Sequence, residues 1–146
     1  MSGNTGGVRE IAARLARLLE ERADFIQRLE DSVAEVRPRD IDEILSKHRL
    51  VLLFFTASWC GPCISFMQTF REVAGRLADP RVFYGYVDVD SSYSLADRYN
   101  VKHIPSIVVI VDGKPVDVII GSLSREKLEE KVRAYMKAAC IAEVAS

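Results

Sequence analysis

The first part of the chain carries apolar residues at steps of three, four or seven. These residues are Val8, Ile11, Leu15, Leu18, Phe25, Leu29 and Val33. With arginine and glutamate between them, the spacing predicts an amphipathic helix of roughly 20 residues or more. We expect its apolar face to pack on its own domain, and the alternatives are dimerisation and docking to a partner. Residues 1–7 are rich in glycine and small polar residues and predict no ordered structure. We therefore expect an N-terminal helical extension over residues 1–30 and one folded domain over residues 31–146.

After residue 37 the apolar pattern switches between short runs and helical spacing. The expected strands cover residues 50–56, 81–89, 106–111 and 114–120. The expected helices cover residues 39–47, 60–77 and 90–100, with a last helix that Ser124 caps. Residues 32–37 fit either the end of the first helix or an edge strand. The run 50–56 is apolar at nearly every position, which is typical of a strand covered by helices on both faces.

The order of these elements predicts an α/β fold. Strands that alternate with helices form parallel crossovers, whereas Asp112 and Gly113 are the residues of a two-residue hairpin turn. Residues 114–120 are therefore the antiparallel partner of residues 106–111. We expect a mixed, mostly parallel sheet flanked by helices on both faces, plus the N-terminal amphipathic helix.

Composition narrows the classes of function. Lys and Arg number 20 against 21 Asp and Glu, so the net charge of −1 offers no basic surface for nucleic acid or anionic membrane. Three cysteines are too few for the disulfide framework of a secreted domain. The start of the chain lacks the charged and apolar regions of a secretory signal, and no apolar run is long enough to span a bilayer. We expect a cytoplasmic protein.

Two cysteines, Cys60 and Cys63, stand where the apolar strand ends and a helix begins. The helix N-terminus stabilises a thiolate there, which favours redox chemistry. Zinc needs further ligands, and the remaining candidates, Cys140, His48 and His103, are scattered. An iron–sulfur cluster and a permanent disulfide are disfavoured as well. We expect a redox-active pair that needs neither a metal nor an organic cofactor.

Proline precedes another buried strand, which is unusual because proline removes a hydrogen-bond donor from the sheet. The bond between Ile104 and Pro105 fits either a cis turn or an ordinary trans opening of the strand.

Together these residues resemble the thioredoxin family over roughly residues 31–140. The resemblance is carried by Trp59, Cys60, Gly61, Pro62 and Cys63 in sequence, by Ile104, Pro105 and Ser106, by Asp112 and Gly113, and by Gly121. It implies the thioredoxin fold, a central sheet of about five strands, with Pro105 in the cis form against the cysteines. It also implies a docking surface for extended substrate segments, formed by Trp59, Gly61, Pro62, Ile104, Pro105 and Gly121.

The chain departs from the family pattern at three positions. Thioredoxins usually have a buried aspartate six residues before the first cysteine and a lysine on the neighbouring strand. This chain has Phe54 and Tyr86 there. The family's aspartate is thought to help deprotonate the resolving thiol, and Phe54 cannot do so. Gln68 stands where the family commonly has a helix-kinking proline, so we expect a straighter helix.

The leading hypothesis is a protein-disulfide reductase in which Cys60 is the nucleophile and Cys63 the resolving thiol. Its partners are then protein disulfides and a thioredoxin reductase or equivalent electron donor. The alternatives are a specialised adaptor and a disulfide oxidase or isomerase, in which the first helix docks a partner or forms a homodimer through residues 8–33. Cys140 is interpreted either as an inert thiol or as part of a regulatory or intermolecular disulfide. His103 is interpreted either as an ordinary loop residue or as one that tunes the cysteines or contacts the substrate.

Overall fold

The computed structural model describes residues 2–141, with the side chains of residues 7–24 and 32–141. The helices are α1 (Ser2–Asp31), α2 (Ile41–Lys47), α3 (Gly61–Arg76), α4 (Tyr93–Arg98) and α5 (Arg125–Ala138). The strands are β1 (Ala34–Glu35), β2 (Leu50–Thr56), β3 (Val82–Asp88), β4 (Ser106–Val111) and β5 (Lys114–Ile120). Of the two interpretations of residues 32–37, the edge strand is the one that the structure has.

The five strands form one sheet in the order β1-β3-β2-β4-β5. β1 and β2 both run parallel to β3, whereas β4 pairs antiparallel with β2 and with β5. The mixed sheet, its terminal hairpin and the flanking helices confirm the predicted α/β fold class. The sheet is less parallel than expected, however. The expectation of a parallel crossover into β4 was wrong, because β4 runs antiparallel to β2 and two of the four strand pairings are antiparallel. Asp112 and Gly113 turn the hairpin with φ of 49° and 79°. Both values lie in the left-handed region, which a two-residue turn of this kind requires.

β2 lies in the middle of the sheet and is buried on both faces, which explains its unbroken apolar run. Leu50, Leu52 and Phe54 belong to the core cluster that includes residues of α3 and α5. The residues between them, such as Leu53 and Phe55, belong to a second cluster with residues of α2 and α4. Alternate side chains of a strand point to opposite faces, so this strand contributes to both cores.

α1 stands largely in solvent. Every side chain described from residue 7 to residue 24 is exposed, including Leu15 and Leu18 at 55% and 53% of their full surface. The helix begins at Ser2, so it includes residues 2–7, for which the sequence predicts no ordered structure. Glycine and serine weaken a helix without interrupting it as proline does, and the first proline of the chain is Pro38. The division into an extension and a domain stays a prediction.

No helix within residues 2–141 is both long and apolar enough to cross a membrane.

Candidate active site

Cys60 and Cys63 lie at the carboxyl end of β2, where the chain turns into α3. Cys60 is the N-cap of α3 with extended backbone, and its Sγ accepts a hydrogen bond from the backbone N–H of Cys63 at 3.3 Å. The two sulfurs form a disulfide, with the Cα atoms 5.3 Å apart. A helix N-terminus presents unpaired N–H groups and the positive end of the helix dipole. The position therefore stabilises negative charge on the Cys60 sulfur once the disulfide is reduced.

The two cysteines differ in burial. Cys60 retains 7% of its surface, whereas Cys63 is fully buried. Gly61 and Pro62, which separate them, are both exposed, and no atom lies within 4 Å of the place where a side chain on Gly61 would stand. An incoming protein disulfide can thus approach Cys60 over open backbone.

Ile104, Pro105 and Gly121 are brought together from separate parts of the chain. The Ile104–Pro105 bond is cis, which decides between the two alternatives that the sequence left open. The backbone N–H of Gly121 donates to the carbonyl of Pro105 at 2.9 Å. Gly121 has φ of 87°, in the left-handed region that favours glycine. Ile104 packs against the core cluster that contains both cysteines.

Trp59 is exposed, with 69% of its surface in solvent. Its Nε1–H donates to Oδ2 of Asp90 at 2.9 Å, which holds the indole ring over the carboxyl end of β3. Nothing in the motif points to Asp90. The topology could have indicated it, because the carboxyl ends of the parallel strands β2 and β3 lie at one edge of the sheet.

The core cluster that contains both cysteines also contains a group of packed rings, which we call the aromatic cluster (Phe54, Phe66, Phe70 and Tyr84). The Phe54 ring lies 5.4 Å from that of Phe66 and 5.2 Å from that of Phe70, and Phe70 meets Tyr84 edge-on at 5.9 Å. Tyr84 donates its hydroxyl to the carbonyl of Leu77 at 2.7 Å, and burial raises the pKa of this phenol. Phe54, at the position of the family's aspartate, is fully buried in hydrocarbon.

Cys63 also lines an open cavity of about 380 Å³. Most of the surface of this cavity is apolar, and we call it the polar groove after the polar side chains that it contains. Its lining residues are Thr56, Ala57, Ser58, Cys63, Ile64, Met67, Gln68, Tyr86 and Asp88. Tyr86 pairs in register with Phe54 across β2 and β3, as its proposed equivalence to the family's lysine requires. Asp88, which the sequence analysis did not single out, ends β3 beside Thr56, and its Oδ1 accepts the backbone N–H of Asp90 at 2.9 Å.

The remaining candidates lie apart from these features. The side chain of His103 is exposed, and its carbonyl accepts the hydroxyl of Ser106 at 2.6 Å. Cys140 is a free, exposed thiol that follows α5 with φ of 58°. Within the described part of the chain, no three or more His, Cys, Asp or Glu side chains gather closely enough to hold a metal ion.

Comparison with known proteins places these features in a family. Residues 32–134 match the family model described as thioredoxin. A thioredoxin H-type of Picea mariana is 37% identical over 103 residues, which cover 70% of this chain and 80% of that protein. A solved thioredoxin variant of Halobacterium salinarum superposes with a TM-score of 0.63 at 26% identity, over 70% of this chain and 88% of that chain. Reduced thioredoxin of Schistosoma mansoni gives 0.62 at 29% identity, over 70% and 97%.

Proposed function

The chain belongs to the thioredoxin family of protein-disulfide reductases, and from this premise we propose that Cys60 is its nucleophile and Cys63 its resolving thiol. The Cys60 thiolate attacks a disulfide of the substrate protein and forms a mixed disulfide, and one substrate sulfur leaves as a thiolate. The Cys63 sulfur then attacks Cys60. The bond between Cys60 and the substrate breaks, the second substrate sulfur leaves, and the Cys60–Cys63 disulfide remains.

The unequal burial of the two sulfurs supports these roles. The sulfur that meets the substrate must be reachable, and the one that resolves the mixed disulfide must be shielded from direct attack by other disulfides. Cys60 and Cys63 differ in this sense, and Cys60 also caps α3. The similarity to proteins named thioredoxin favours a reductase over an adaptor or a disulfide oxidase or isomerase.

We assign substrate docking to the surface around Cys60 that includes the exposed Trp59, Gly61 and Pro62, and with them the half-buried Ile104 and Gly121 and the buried Pro105. The turn at Pro105 is the expected partner for an extended segment of the substrate protein. A thioredoxin reductase or an equivalent donor returns electrons to the Cys60–Cys63 disulfide. Neither step calls for a metal or an organic cofactor on this chain. The low cysteine count agrees with a cytoplasmic location, where thiols are kept reduced.

The roles of the cysteines are tested by insulin reduction with single serine variants. We expect Cys60→Ser to abolish turnover and to leave insulin unbound. Cys63→Ser should instead hold insulin as a mixed disulfide on Cys60, which mass spectrometry of acid-quenched samples detects. Cys140→Ser is the matched control, because it removes a thiol outside the site, and it should turn over like the natural chain. A stable adduct on Cys60→Ser, and none on Cys63→Ser, would reverse the assignment.

We also propose that two copies of the chain pair through residues 8–33. Val8, Ile11, Leu15 and Leu18 form an apolar stripe along α1 that the rest of the described chain leaves exposed. Such a stripe at helical spacing is typical of a helix that packs against another helix.

The charges beside this stripe favour an antiparallel pair. Arg14 and Glu21 lie on one flank, with arginine towards the N-terminus and glutamate towards the C-terminus, and the other flank carries the uncharged Ala12 and Leu19. In an antiparallel pair, each flank of one helix lies against the same flank of the other helix. Arg14 of one chain then approaches Glu21 of the other, whereas a parallel arrangement would lay these charges against the uncharged flank of Ala12 and Leu19.

Analytical ultracentrifugation tests this pairing. We expect the natural chain to sediment at twice its mass of 16.4 kDa and the Leu15→Glu variant at the monomer mass. Ala13→Glu places the same charge on the polar face of α1 and should remain a dimer. A monomeric natural chain would overturn the pairing and leave the reductase assignment untouched.

A further inference from the structure

Among the described residues, the core cluster that contains Cys63 offers no carboxylate to accept the proton of its thiol. Phe54 occupies the position of the family's aspartate, is fully buried, and lies against the rings of Phe66 and Phe70. A space lined in this way by hydrocarbon holds neither a base nor water. A resolving thiol must nevertheless lose its proton, because the thiolate is the form that attacks a disulfide.

The polar groove offers the alternative route. Cys63, from α3, lines it together with Tyr86 and Asp88 from β3, and β2 contributes the neutral Thr56. Cys63, Tyr86 and Asp88 are thus the titratable side chains that face the groove from the elements around it. Among the described residues that line it, Asp88 is the only carboxylate. The groove has a volume of about 380 Å³, which is many times the ~30 Å³ that one water molecule occupies in the liquid.

Asp88 is held in a fixed orientation at this site. It is half-buried at the end of β3, in register with Thr56, and its Oδ1 accepts the backbone N–H of Asp90. Oδ2 has no hydrogen-bond partner among the described residues. One oxygen therefore fixes the carboxylate, and the other can accept a hydrogen bond from water in the groove.

We propose that Asp88 accepts the proton of Cys63, through water in the groove, when Cys63 attacks the mixed disulfide. The inference rests on the proposed roles of Cys60 and Cys63. In this step the Cys63 S–H bond breaks and its proton passes through water to Asp88. The sulfur lone pair forms the bond to Cys60, and the electron pair of the Cys60–substrate bond leaves with the substrate sulfur. Asp88 then releases the proton to solvent at the open end of the groove.

The test measures the two chemical steps separately. Reduced protein is mixed with insulin, samples are quenched with acid, and mass spectrometry follows the mixed disulfide and the released insulin chains. In Asp88→Asn, which keeps an oxygen for the N–H of Asp90, we expect formation of the mixed disulfide at the natural rate. Its resolution should be on the order of 10-fold slower or more, so that the adduct accumulates. The resolution rate should also depend more steeply on pH than in the natural chain, because the Cys63 thiolate must then form without a neighbouring base.

Two further variants separate proton transfer from charge and from fold. Asp88→Glu restores a carboxylate and should recover most of the resolution rate and its pH dependence. Asp97→Asn removes the same charge from an exposed position on α4, away from the groove, and should resolve the adduct like the natural chain.

Equal resolution rates and pH profiles in Asp88→Asn and the natural chain would overturn the inference. Failure of the proposed function would give a different result, because the natural chain itself would form no mixed disulfide through Cys60.

Discussion

Cys63 shares a core cluster with the rings of the aromatic cluster, and it also lines the polar groove. Both are built from β2 and its neighbours. Phe54 and Thr56 are two residues apart on one strand and therefore face the same side of the sheet. Phe54 is fully buried, but Thr56 is half-buried, because it lies at the carboxyl end of the strand where the sheet meets solvent.

The difference shows where polar chemistry can be placed in this fold. A charge in the aromatic cluster would need a partner inside the core, whereas a charge at the end of β3 keeps contact with water. The family usually has a charged pair in the buried position. This chain has Phe54 and Tyr86 there. Its carboxylate, Asp88, lies two residues after Tyr86, at the carboxyl end of β3.

The largest expected effect follows from placing a charge in the aromatic cluster. We expect Phe54→Asp to lower the free energy of unfolding by at least about 3 kcal/mol, because the ring contacts are lost and a carboxylate is buried without a partner. Urea denaturation of both proteins measures this difference in the free energy of unfolding. Phe54→Leu, which keeps an apolar side chain of similar size, is the control and should cost only about 1 kcal/mol. Equal stability of Phe54→Asp and the natural chain would mean that the cluster is not dry.

A second charge placed opposite the first should recover part of this loss. Phe54 and Tyr86 pair in register, so Phe54→Asp combined with Tyr86→Lys rebuilds the family's charged pair. A double-mutant cycle in urea should give a favourable coupling of roughly 0.5 to 3 kcal/mol. Additive losses would show that positions 54 and 86 do not interact, and that the equivalence of Tyr86 to the family's lysine is wrong.

A smaller effect is expected at the edge of the aromatic cluster, where Tyr84 donates its hydroxyl to Leu77. Burial raises the pKa of this phenol above its usual value of about 10. Since the folded chain holds the proton more tightly than the unfolded chain does, the stabilisation is complete below about pH 10 and is lost as the pH rises further. Tyr84→Phe should be about 1 kcal/mol less stable at neutral pH.

Thermal unfolding measured from pH 8 to pH 11 tests the Tyr84 prediction. The stability of the natural chain should fall more steeply in the alkaline range than that of Tyr84→Phe. Parallel curves would show that Tyr84 titrates alike in the folded and unfolded chains.

The smallest expected effect lies above the polar groove, where Asp90 binds the indole of Trp59. Both side chains are exposed, so Asp90→Ala should change the free energy of unfolding by less than about 1 kcal/mol. Trp59 is the single tryptophan of the chain, and its fluorescence should nevertheless shift as the ring is released. An unchanged spectrum would mean that the hydrogen bond does not hold the ring in solution.

Local sequence patterns that are compatible with few structures gave the most accurate predictions. The run from Leu50 to Thr56 predicted a central strand, Asp112 and Gly113 predicted the hairpin, and the five-residue cysteine motif indicated the chemistry. Predictions from the sequence were less successful where the backbone conformation depends on tertiary contacts. The sequence left open whether Pro105 is cis and whether residues 32–37 form a strand, since both depend on contacts with distant residues.

By itself, then, the sequence determined the order of the elements, the redox pair at the start of α3 and the loss of a charge at position 54. These features depend on periodicity, turn chemistry and residue identity, all of which are local. Only the tertiary structure decided what surrounds Cys63. Parallel pairing of β2 with β3 brings Asp88 and Tyr86 into the groove with Cys63 from more than 20 positions away in the chain. No local pattern records that proximity, because the register between two strands sets it.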